Sequence, residues 1–169
     1  MDLSSREFWA LIHGLILGGL FLVAFAGGLA GLYSYRPKLV TAEGARERLR
    51  RLNIGMRTMA VVAWLTVISG TFIVYPWYRE ETPDSARSTL LADPDTADWH
   101  EFAMEWKEHI AWIAPMLATV AAFIVFYYGA GLMRNRAMRL TAIWCFVAAF
   151  AIAAIAGIFG ALITKNASV

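Results

Sequence analysis

The chain has 169 residues, of which 59% are hydrophobic and 17% charged, with a mean hydropathy of +0.54 and a formal net charge of +2. That leaves too little polar surface to clothe a water-soluble domain of this size, so lipid is the expected surroundings. The single cysteine, Cys145, excludes a disulfide within the chain and any CxxC or CxxCH haem-attachment motif.

Residues 8–33 form the first apolar run long enough to cross about 30 Å of hydrocarbon, which takes roughly 20 residues. Residues 1–6 carry no cluster of positive charge, and the run is too long for the apolar part of a signal peptide, so it reads as a permanent helix. Residues 55–77, 110–133 and 137–163 are the second, third and fourth such runs. None alternates residue by residue, which favours helices over barrel strands. Cys145, in the middle of the fourth, reads as a small packing residue.

The link at residues 34–54 is strongly basic, with Arg36, Lys38, Arg46, Arg48, Arg50 and Arg51. Its stretch 44–52 resembles a short surface helix in contact with anionic lipid headgroups. The short link before the fourth run adds Arg134, Arg136 and Arg139. Lysine and arginine gather on the cytoplasmic side. The expected protein is therefore an all-α integral membrane protein, a single domain built as an up-down bundle of four transmembrane helices. Both termini and the connection at residues 78–109 would be extracytoplasmic. Trp77, Tyr78, Trp106 and Trp112 fit an aromatic belt at that interface.

The connection at residues 78–109 is acidic, carrying Glu80, Glu81, Asp84, Asp93, Asp95, Asp98, Glu101 and Glu105. Asp93-Pro94-Asp95-Thr96 is a helix-start signal with Asp95 or Thr96 as caps, and from about Ala97 the chain is expected to be helical. Such a face is either simply solvated or a docking surface for a basic partner, a c-type cytochrome or an extracytoplasmic redox subunit.

The first run leaves the membrane as Ala30-Gly31-Leu32 and the third as Ala130-Gly131-Leu132, and Trp64 and Trp144 follow in the next runs. This weak match predicts two parallel, pseudo-repeated hairpins. Each half then brings one histidine near the extracytoplasmic end of its first helix: His13 and His109. Two imidazoles at similar depth on neighbouring helices can ligate a haem iron from both sides, and a histidine inside the membrane is costly without a task. His13 and His109 are the expected axial ligands of a haem b, with Trp9, Trp106, Trp112 and Gly14 around it. Gly14 and Gly18, like Gly27 and Gly31, are spaced for close helix approach.

Three other readings stand beside this. Both histidines are structural, His109 pairing with Glu105 one turn away. A metal site forms from His13, Glu105 and His109. Thr66, Ser69 and Thr71 line a quinone headgroup site. His100 is expected on the opposite helix face from His109, exposed to solvent; it or Glu101 would exchange protons near a quinone. The function expected first is a cytochrome b-like subunit of a membrane redox complex in a bacterial inner membrane. It would pass electrons between the quinone pool and the extracytoplasmic partner. The second is a cofactor-free anchor or assembly subunit of a larger membrane complex. A solute transporter is disfavoured by the lack of charged midplane residues, and nucleic acid is a poor partner for a tethered link.

Overall fold

A computed structural model describes residues 3–167, and among them every regular element is a helix. Four helices are long and apolar enough to cross a membrane: α1, Ser5–Ser34; α2, Glu43–Tyr78; α4, Pro94–Met133; and α5, Arg136–Asn166. The short α3, Ala86–Ala92, lies in the connection between α2 and α4.

Local chemistry sets the starts. Ser4 and Glu7 form a reciprocal capping box on α1, Oγ accepting from the Glu7 amide at 3.2 Å and the Glu7 carboxylate from the Ser4 amide at 2.8 Å. Thr41, Ser85 and Asn135 cap α2, α3 and α5 with side-chain oxygens. The cap of α4 is Asp93, not Asp95 or Thr96: Pro94 has no amide hydrogen to lose at the first position, so the helix begins there. Likewise the basic stretch 44–52 is no separate surface helix but the opening turns of α2, which runs unbroken into the apolar segment. At 36 and 40 residues, α2 and α4 extend to about 54 and 60 Å, well beyond a hydrocarbon core.

Within the interhelical core, α1 packs on α2 and α5, and α4 packs on the same two helices. Neighbours run antiparallel. His13 meets Thr66 while Gly31 meets Leu52, and Trp106 meets Phe159 at the far end of α5. Buried Ala114, Ala118, Ala121 and Ala122 on α4, with Ala142 and Ala149 on α5, let those two backbones come close. Aromatic rings fill the other side, with Phe25 stacked on Phe150 at 4.0 Å and Phe146 fully buried. Cys145 packs against this core, as its position in the apolar run implies. Arg139, counted from the sequence with the basic link, is buried: its guanidinium donates to the Leu132 and Met133 carbonyls and closes the α4–α5 turn.

The two weakly similar stretches, Ala30-Gly31-Leu32 and Ala130-Gly131-Leu132, can be compared directly. Leu32 and Leu132 are both fully buried. The backbones around them differ, since α1 stays α-helical to Ser34 while Gly129–Met133 is a tighter turn opened by Gly129 at φ 49°.

A second, smaller core sits at the end where α2 finishes and α4 starts. There α3 and the first turns of α4 fold over the ends of α2 and α5, burying Tyr78, Leu90, Ala103, Met104 and Ile163. This cap turns the acidic connection into a packed element.

Candidate functional site at the cap end

Three departures from regular helix geometry gather toward this end: Leu11–Gly18 in α1, Gly70–Val74 in α2 and Trp99–Met104 in α4. In each, amides reach back five residues, as Gly19 does to Gly14, Tyr75 to Gly70 and Glu105 to His100. Such wide turns displace side chains from the ordinary helical stripe and are common at functional sites.

His13 lies in the first wide turn and faces the start of the second. Its Nδ1 is 2.8 Å from the Thr66 carbonyl oxygen and 3.3 Å from the Ser69 hydroxyl. A carbonyl only accepts, so Nδ1 carries the proton and Nε2 the lone pair. The ring takes the room a side chain would need at position 70: a Cβ on Gly70 would sit 2.5 Å from His13 Cε1. Of the three hydroxyl residues expected to line a polar site, Thr66 and Ser69 meet His13, and Thr71 makes no hydrogen bond with it.

Lys107 is the residue that sequence reasoning missed. It turns into the helix interface, its Nζ reaching the backbone of α5 at Gly160. A Cβ there would lie 2.8 Å away. No hydrogen bond or ion pair reaches Nζ among the described residues. The next side chain, Glu108, points to α2, with Oε2 4.0 Å from the Arg79 guanidinium and Oε1 buried without a hydrogen-bond partner. Arg79 also donates to the Tyr75 hydroxyl at 2.6 Å. The only sequence signal for Lys107 is its pairing with Gly160, which no periodicity reveals.

His109 lies two residues beyond Lys107, about 200° around the helix. Turning Lys107 inward turns His109 out. Its side chain is 70% exposed, and Nδ1 donates to the Glu105 carbonyl of its own helix at 2.8 Å, with the Glu105 carboxylate at 3.8 Å. Packing and hydrogen bonding therefore hold His13 and His109 on separate surroundings. The expected pocket tryptophans each have neighbours of their own. Trp9 meets Phe8, Trp106 meets Phe159, Trp112 meets Trp64, and Gly14 faces open space. The alternative metal site from His13, Glu105 and His109 is not assembled: no three metal-ligating side chains converge among the described residues.

His100, expected in solvent, is buried in the cap because α3 folds over it. Arg87 Nε donates weakly to its Nε2 at 3.4 Å, which puts the ring proton on Nδ1, facing the Tyr78 hydroxyl at 2.8 Å. Glu101 beside it is exposed.

No family model, curated protein or solved structure matches the chain. What fold and site define is an all-helical chain of four membrane-length helices. Toward the end closed by a folded cap, His13 is held by Thr66 and Ser69, and Lys107 turns inward against Gly160.

Proposed function

We propose that the chain is an integral subunit of a larger complex in a bacterial inner membrane, holding the docking face for a basic extracytoplasmic partner. In this reading the helices form an up-down bundle. The arginine-rich end is cytoplasmic, and the cap and both termini are outside. The observation that carries it is the cap itself. Asp93, Asp95, Asp98 and Glu101 are exposed at the start of α4 and Glu81 and Asp84 on the turn before α3, and none joins an ion pair among the described residues. Fixed like charges on a rigid surface raise encounter rates with a basic protein and select against acidic ones. A redox protein such as a c-type cytochrome is one partner class with that chemistry.

The test is extraction of the tagged chain in mild detergent at low and at high salt. Migration with a basic extracytoplasmic protein at low salt, released at high salt and lost in Asp93→Asn/Asp95→Asn/Asp98→Asn, supports the proposal. A chain that migrates alone at low salt, even after cross-linking in intact membranes, refutes it.

One observation favours a second reading, a haem b between His13 and His109 with quinone as electron donor or acceptor. Each histidine turns Nδ1 to a backbone carbonyl and leaves Nε2 without a partner among the described residues. That is the orientation in which imidazoles ligate metals. It requires α4 to rotate His109 inward. A b-type absorbance band in purified protein, lost in both His13→Ala and His109→Ala, supports this reading. Colourless protein expressed with haem supplied removes it.

A further inference from the structure

At the end opposite the cap, α1 and α2 part to leave a groove of about 670 Å³. Its walls are Leu20, Val23 and Ala24 of α1 and Met59 and Val62 of α2. Its mouth carries Ser34, Arg48 and Arg51. Arg51 is ion-paired to Glu47 at 2.7 Å, whereas Arg48 is exposed and joins no ion pair among the described residues. From Leu20 to Gly31 the groove follows α1 for about 16 Å, close to half the thickness of a hydrocarbon core.

The glycines lining the groove divide into two kinds. Gly28 and Gly31 are required by the chain's own packing, since a Cβ would meet Phe146 at 2.7 Å and Leu52 at 3.1 Å. At Gly27 and Gly55 a Cβ would meet nothing within 4 Å. Each of these costs a helix about 1 kcal/mol relative to alanine, and nothing inside the protein requires either one. Both leave open space along the groove.

We infer that this groove binds one anionic phospholipid of the adjoining leaflet, an acyl chain lying over Gly27 and Gly55 and the phosphate meeting Arg48 and Arg51. The groove is one leaflet deep, apolar along its length except for Thr58, and cationic only at its mouth, as a phospholipid of that orientation requires. This rests on the membrane reading alone and is independent of any partner at the cap.

The experiment is native mass spectrometry of the purified full chain, delipidated and titrated with phosphatidylglycerol or phosphatidylcholine. The expected result is one tightly held phosphatidylglycerol per chain. Gly27→Leu/Gly55→Leu should weaken its retention by at least about tenfold. Arg48→Gln/Arg51→Gln, which removes the exposed Glu47–Arg51 ion pair but no buried side chain, should abolish the preference over phosphatidylcholine. Helical circular dichroism checks that both variants fold. Equal binding of the two lipids to the native chain, or adducts indifferent to both variants, would overturn the inference. So would a native dimer that Gly27→Leu/Gly55→Leu converts to monomers, because the occupant would then be a second copy.

Discussion

His13 Cε1 lies 2.5 Å from where a Cβ on Gly70 would be placed, so the imidazole and the second wide turn are mutually dependent. Each element explains the other. The ring needs a glycine opposite it, and Nδ1 needs the Thr66 carbonyl one turn earlier.

It follows that Gly70→Ala should displace the ring and destabilise the protein by roughly 1–3 kcal/mol, the usual cost of overpacking. His13→Ala should cost about 1 kcal/mol for the lost hydrogen bond, plus what the vacated space adds. The double variant should cost less than the sum, because alanine at 70 has no ring to strike. Thermal unfolding in detergent, followed by tryptophan fluorescence, measures all three. Strict additivity would show that ring and glycine are not in contact.

Lys107 gives a prediction of opposite sign. An ammonium held in the helix interface without a counter-ion is expensive, so Lys107→Met should leave stability unchanged or raise it by about 1 kcal/mol. If Lys107 serves a bound ligand, function will fall in that same variant. A clear loss of stability would mean that the ammonium has a partner of its own.

The cap should respond to pH through His100. Its Nε2 accepts from Arg87, so a second ring proton removes that contact and adds a positive charge beside a guanidinium. As pH falls through the histidine range the cap should loosen. Amide protection factors over residues 86–104, taken against the intrinsic exchange rate at each pH, should then be lower at acid pH than at neutral pH. His100→Gln should flatten that dependence. Unchanged protection factors across the range would show that the ring already tolerates the proton.

The four spans were legible because roughly 20-residue apolar runs have few other readings in a chain of this composition. The side chains that face inward were not. A histidine at the edge of an apolar run looks the same in sequence whether it faces the core or lipid. His13 and His109 differ through the wide turn in α1 and the rotation that seats Lys107. The wide turns have no residue signature here, and they shift the register on which any face assignment depends. Burial of His100 was hidden for another reason. It depends on α3 folding back, a contact between chain segments that helical periodicity does not report.

Position 28 offers a clean contrast with its neighbour. At Gly28 a Cβ would come within 2.7 Å of Cε1 and 3.0 Å of Cζ on Phe146, a fully buried ring that already contacts Phe21 and Phe25. A ring so enclosed has little room to retreat, so Gly28→Ala should cost roughly 1–3 kcal/mol. At Gly27 the same change meets nothing and gains helix propensity, so it should be neutral or stabilising by up to about 1 kcal/mol. Reversible unfolding of the two variants in one detergent gives the comparison. Equal effects at 27 and 28 would mean that α1 is rotated from the position described, and the groove along it would then be lined by different residues.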